Sequence, residues 1–288
     1  AGADLTFKGG TSLSKAYKLI DRFSEDIDLT CNICRLIPGR TSEHGELPSN
    51  RSQAKKWVKD INVALKEWIT QDIQPILERA MQNENMHASL ELTPSGDTLL
   101  LKYPALTSGT GYIAPVVRLE FGGRATGEPH QIQGVVCDMA SYIPELDFPV
   151  AAPLVMSVNR TFWEKATAAH VYCIQGKLRG ERYARHWFDL AAIAKSEFIT
   201  AAQDKAVAQA VAQHKSIFFL EKDLAGDAVN YLDAIQGKLK IVPVGHARLA
   251  LEKDYAAMTN DGVLLGQHDS FESIMDACHT LELLCNKR

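Results

Sequence analysis

The stretch FKGGTSLSKAYKLIDRFSEDIDL, residues 7–29, changes backbone habit three times within a short span. Residues 5–8 read as a strand that runs into Gly9-Gly10, a pair with backbone freedom for a tight turn. From Ser12 to Arg22 the apolar positions Leu13, Ala16, Tyr17, Leu19 and Ile20 recur at helical spacing, with Thr11 or Ser12 as the expected N-cap. Asp26 to Thr30 then alternates. Side chains point to opposite faces of a strand in turn, so Ile27 and Leu29 face one way and Asp26 and Asp28 the other. The outline is a strand, a glycine turn, a helix and then a strand carrying two carboxylates on one face.

The rest of the chain extends this pattern. Residues 35–52, rich in Pro, Gly, Ser and charge, read as a loop, and 53–83 as one long amphipathic helix with a break before Pro75. Strands are expected at 88–93, 98–103 and 113–121, the last ending at Gly122-Gly123, and a short one at 132–139. In IAPVVRLEF, Val117, Leu119 and Phe121 share one face, and Val116, Arg118 and Glu120 the other. From about Asn159 the texture becomes helical, in NRTFWEKATAAHVYCIQ, in ERYARHWFDLAAIAKS, and again at 201–213 and 269–286. No internal repeat or low-complexity tract is visible. The expected class is α+β: a mixed sheet with helices over residues 1–150 and a mainly helical domain over 151–288, with a soft boundary within 125–158.

Composition narrows the function classes. The chain has 288 residues, enough for one large domain or two ordinary ones. Its net charge of −4 lacks the global basicity of a typical nucleic-acid binder, so any such contact has to use a local patch. Its apolar runs fall short of a membrane span, and nothing resembles a signal peptide. Six scattered cysteines suit a reduced, cytoplasmic chain; Cys31 and Cys34 form a C-x-x-C, but no second pair stands at zinc spacing. The chain begins at Ala1 rather than Met and is expected to lack a native N-terminal segment.

Two carboxylates at i and i+2 on a strand lie about 6–7 Å apart and repel when bare. A divalent cation removes the conflict, and Mg²⁺ is commonly held by one or two carboxylates plus the phosphate oxygens of a nucleotide. A glycine turn that exposes backbone N–H groups at a helix start is a phosphate cradle. In that reading Gly10 allows close approach, and Thr11 and Ser12 add hydroxyl donors. Either feature alone is commonplace; their conjunction within one strand–turn–helix–strand unit is far more specific.

GGTSL followed by RFSEDIDL resembles the nucleotidyltransferase signature of the DNA-polymerase-beta-like superfamily, and more narrowly the AbiEii/AbiGii toxin family of bacterial toxin–antitoxin and phage-defence systems. VRLEFGGR, NRTFWEKATAAH and RYARHWFDLAAI resemble later motifs of that family, so the likeness spans about residues 5–195. It implies a Mg²⁺-dependent enzyme that transfers NMP from an NTP. Asp26 and Asp28 match the metal-binding pair, and Glu120 stands on the strand of the third carboxylate, the alternative being a solvated strand residue. Lys165 matches the family lysine that neutralises the triphosphate and the leaving pyrophosphate; its alternative is an ion pair with a neighbour such as Glu164. Asp189 matches the last motif, where it would orient Lys165 or position the acceptor hydroxyl. Arg22 and Ser24 precede the paired aspartates and would reach phosphate, or equally form a structural ion pair or cap.

The run QGKLRGERYARHWF holds Lys177, Arg179, Arg182 and Arg185 with interleaved aromatics, which suits an RNA backbone; Trp187 and Phe188 read instead as core, and His186 as structural or solvated. The family resemblance implies the 3′ end of tRNA as acceptor and a cognate antitoxin as partner. Transfer to another RNA, to a protein or to a small molecule, and a regulator that binds NTP without transfer, remain open on the sequence alone.

Overall fold

The computed structural model describes residues 5–24, 26–105, 116–176 and 182–287. Contacts divide the chain into two compact units, one of residues 1–16 and 24–156, the other of 17–23 and 157–288.

The first unit opens with β1 (Leu5–Lys8) and α1 (Gly9–Lys15), followed by β2 (Asp26–Cys31). Two short helices, α2 (Ile33–Leu36) and α3 (Pro38–His44), lead to α4 (Arg51–Trp68) and α5 (Gln74–Asn83), which are joined through a π-helical turn at Ile69–Ile73. Then come β3 (Ser89–Leu92), β4 (Thr98–Lys102), β5 (Val116–Gly122), β6 (His130–Ile132), β7 (Val135–Val136), β8 (Val150–Ala151) and β9 (Leu154–Met156). Seven of these strands form one mixed sheet in the order β3-β4-β5-β2-β1-β9-β6; β7 and β8 make a separate ribbon. β1 runs antiparallel to β2, while β2 and β5 run parallel at the centre with Asp26 opposite Arg118 and Asp28 opposite Glu120.

The buried face of this sheet carries the core. Cys31, Leu65, Ile69, Ile73, Leu99 and Phe121 form one cluster, with Trp68 and Leu119 packed on it. Removing each such side chain from water contributes about 1.5–3 kcal/mol. With the apolar face of β2 and β5 committed to that core, their charged positions are left on the opposite face.

Several expectations need correction. The helix expected over 12–22 ends at Lys15: Lys18 has φ 54°, and Arg22 makes an isolated β-bridge with Leu264. The segment 17–23 therefore belongs to the second unit, a tertiary preference that its helical periodicity does not reveal. The N-cap is Lys8, so Thr11 and Ser12 lie inside α1 instead of capping it. The loop expected over 35–52 holds the end of α2, all of α3 and the start of α4; Asn32 caps α2 by accepting from Cys34 N at 2.9 Å, and Pro38 sits in the first turn of α3, where its missing N–H costs nothing. The helix over 53–83 is continuous through the π turn immediately ahead of Pro75, which absorbs the hydrogen bond that proline removes. The strand expected at 132–139 resolves into β7 and a 3₁₀ turn at Asp138–Ser141.

The second unit is built of α6 (Val158–Gln175), α7 (Ala184–Ala194), α8 (Lys205–Phe218), α9 (Gly245–Asn260) and α10 (Phe271–Asn286). Ser157 caps α6 by accepting from Arg160 N, and Gly176 in the left-handed region ends it. Phe162, Trp163, Trp187, Leu190 and Ile193 are buried, and the indole N–H groups are satisfied: Trp163 donates to Ala201 O at 3.0 Å and Trp187 to Ile241 O at 2.6 Å. Two features go beyond what the sequence pattern predicts. A 3₁₀ turn at Glu197–Gln203 precedes α8, and α9 buries Ala247, Leu251, Tyr255 and Met258.

Candidate active site

Lys8, the last residue of β1, pairs with Asp28 across the sheet, and the chain turns at once through Gly9. Gly9 has φ 75°, and a Cβ placed on it would lie 2.2 Å from Asp28 Oδ2. No other residue fits there without displacing the carboxylate, so the glycine allows turn and acid to meet. The hydroxyls that follow point inward. Ser12, fully buried, donates to Gly9 O at 2.9 Å. Thr11 Oγ1 lies 2.6 Å from Ser24 Oγ and also reaches the carbonyl of Asp26. Thr11 thus ties α1 to Ser24 and the start of β2, while Ser12 braces the Gly9 turn from within α1.

Asp26, Asp28 and Glu120 share the polar side of β2 and β5, as alternation expects. Burial, opposed by the Arg118 hydrogen bond and reinforced by the charges of Asp26 and Asp28, raises the Glu120 pKa above its ordinary value. The cluster is short of positive charge. Arg118 supplies some: its Nε lies 3.2 Å from Asp26 Oδ1 and its Nη2 3.1 Å from Glu120 Oε1. As they stand, no three His, Cys, Asp or Glu among the described residues close into a ready metal site. The donor set still fits a hard divalent cation. It offers oxygen ligands, anionic charge in excess, and partial exposure, at 24% for the Asp26 side chain and 40% for Glu120.

In the second unit, three charged side chains form a buried network. Asp189, on α7, is fully buried and accepts from Arg22 Nε at 2.9 Å and Nη2 at 3.0 Å, and pairs with Lys165 Nζ at 2.7 Å. Burial alone would raise its pKa; the Arg22 and Lys165 charges win and hold it well below the usual carboxylate range. Both its oxygens are engaged, so Asp189 holds Lys165 and Arg22 in place. Glu164, the neighbour weighed as a partner for Lys165, pairs instead with Arg160 at 3.1 Å. His186, partly enclosed next to this network, is pushed down to about 3 by burial and by the Lys165 charge, and so stays neutral.

Of the basic run, Lys177 and Arg179 lie outside the described residues. Arg182 has φ 73°, and its backbone N donates to Asp254 Oδ1 at 2.7 Å; Ala184 N donates to Asp254 Oδ2 at the same distance. Arg185 is half-buried on α7. Sequence reasoning misses Asp254, since nothing local marks an acid some seventy positions away as the anchor of that turn. Strand alternation puts Arg118 on the correct face without giving it a role, although its spacing from Glu120 is a usable signal.

No curated protein matches the chain. Among solved structures, MenT4, a nucleotidyltransferase toxin from Mycobacterium tuberculosis H37Rv, aligns with 14% identity and a TM-score of 0.43, covering 99% of this chain and 76% of that one. The family model "Nucleotidyl transferase AbiEii toxin, Type IV TA system" matches residues 1–277. With nearly the whole length matched, the chain belongs to the AbiEii family of nucleotidyltransferase toxins of type IV toxin–antitoxin systems.

Proposed function

We propose that this nucleotidyltransferase moves a nucleoside monophosphate from an NTP to an RNA hydroxyl, with the 3′ end of tRNA as acceptor, and so blocks aminoacylation and growth. The observation that carries the reading is the set of Asp26, Asp28 and Glu120 on one strand face against the Gly9 turn. Binding a nucleotide does not by itself need three carboxylates, whereas a cluster of them suits the divalent cations that accompany a reacting triphosphate.

The acceptor oxygen forms a bond to the α-phosphorus, the bond from that phosphorus to the bridging oxygen breaks, and pyrophosphate leaves with the electron pair; the hydroxyl proton passes to solvent. Asp26, Asp28 and Glu120 would hold Mg²⁺, which when bound neutralises phosphate charge. The backbone at Gly9 and Gly10 admits phosphate closely. Lys165 is assigned to the β- and γ-phosphates and the leaving pyrophosphate, with Asp189, itself held by Arg22, fixing its ammonium group. The protein contributes positioning and charge stabilisation. Arg182 and Arg185, with Lys177 and Arg179, are assigned to the RNA backbone, and membership of a toxin–antitoxin family implies an antitoxin partner.

The test is incubation with total bacterial RNA, Mg²⁺ and each α-³²P-labelled NTP in turn, beside Asp28→Asn. A labelled tRNA-sized band, absent with the variant, is the expected result and identifies the donor. Label on protein alone would replace RNA with a protein acceptor.

A further inference from the structure

Arg118 sits directly on the acidic face proposed above, and its geometry gives it a function of its own. It lies on β5 directly opposite Asp26 and two positions before Glu120, so all three side chains leave the sheet on one side. Its guanidinium takes an oxygen of each acid: Nε is 3.2 Å from Asp26 Oδ1, and Nη2 is 3.1 Å and Nε 3.3 Å from Glu120 Oε1. Those oxygens belong to two of the three carboxylates proposed to hold the divalent cation. Asp28, the third, stands opposite Glu120 in the pairing of β2 with β5.

We propose that Arg118 is a built-in counter-ion that competes with the divalent cation for Asp26 and Glu120, so that cation binding requires the guanidinium to move off the acidic face. The inference rests on the proposed three-carboxylate site. Arginine suits this role because its planar fork presents N–H donors on separate nitrogens in a fixed geometry, and because it stays charged throughout the working pH range. The pairs are weak enough to exchange. The Arg118 side chain is 41% exposed, and ion pairs of that exposure contribute little each. A guanidinium released in this way is also a ready partner for a phosphate arriving with the substrate. Arg118 also offsets the mutual repulsion of the carboxylates in the absence of metal.

Mn²⁺ binding in the absence of nucleotide, read from loss of the free-ion electron paramagnetic resonance signal, tests this without reference to activity. Arg118→Gln is expected to bind Mn²⁺ about three- to tenfold more tightly than the wild type, the range that two exposed ion pairs support. Arg118→Lys keeps the charge and loses the fork, so it should fall between the two. Unchanged or weaker binding by both variants, with wild-type binding intact, would overturn the counter-ion proposal and leave the site standing. Should the wild type bind no more Mn²⁺ than an Asp26→Asn/Asp28→Asn double variant, the three-carboxylate site itself fails, and the counter-ion proposal with it.

Discussion

An alanine at position 9 would place its Cβ 2.2 Å from Asp28 Oδ2 on a backbone with φ 75°. The left-handed conformation alone costs a side chain about 1–2 kcal/mol, and the carboxylate must move as well. Gly9→Ala should therefore lower transfer activity by at least about tenfold while secondary structure by circular dichroism stays near wild type. Retained activity would show that the approach of turn to acid is not needed. Asp189 carries a different burden. Asp189→Asn leaves Lys165 and Arg22 sharing a neutral partner in a buried place and should cost about 3–5 kcal/mol in urea unfolding. Because the folded-state pKa of Asp189 is depressed, the stability it contributes is present above its ordinary value of 3.8 and is lost as pH falls below that value. The asparagine variant should lack that component of the acid limb; an unaltered limb would contradict the network.

At the scale of elements, the sheet-bearing unit is legible where local pattern and tertiary packing agree. The period-two alternation of Asp26–Thr30 and of residues 116–121 places Asp26, Asp28, Arg118 and Glu120 on one face, because apolar Leu119 and Phe121 have to go to the core. The pattern fails where long-range contacts decide. Residues 17–22 are spaced as a helix, but the chain there instead bridges Leu264 and delivers Arg22 to Asp189. The short helices α2 and α3 hide in a polar, Gly- and Pro-bearing stretch, since their starts depend on Asn32 and Pro38 more than on an apolar face. Whether Lys165 pairs with Glu164 or with Asp189 is not decidable from sequence, because the preferred partner lies on another helix. Two predictions belong here. Ile69, fully buried in the π turn, anchors α4 and α5 to the sheet, so Ile69→Ala should cost about 2–5 kcal/mol by chemical denaturation. His170, buried on α6, accepts from Lys240 N at 3.0 Å, and burial pushes its pKa from 6.5 down to about 4. A histidine whose folded pKa is depressed loses stability as pH falls from 6.5 towards 4, by about 1.4 kcal/mol per unit in that window. Unfolding midpoints measured at pH 7 and pH 4.5 should show a smaller drop for His170→Gln than for the wild type.

For the whole molecule, a net charge of −4 provides no global attraction to RNA, so the RNA recognition proposed above would have to use the basic run at 177–185. Among the described residues no helix is long and apolar enough to cross a membrane. The central claim is that Asp26, Asp28 and Glu120 carry an NMP transfer to RNA. It is tested most directly by supplying purified tRNA and Mg²⁺ with NTP labelled at either the α- or the γ-phosphate, and comparing the wild type with Asp26→Asn and Glu120→Gln. The account predicts α-label retained at the RNA 3′ end, γ-label released in pyrophosphate, and both lost or reduced at least about a hundredfold in each variant. Undiminished transfer by both variants, or γ-label retained on the RNA, would contradict it.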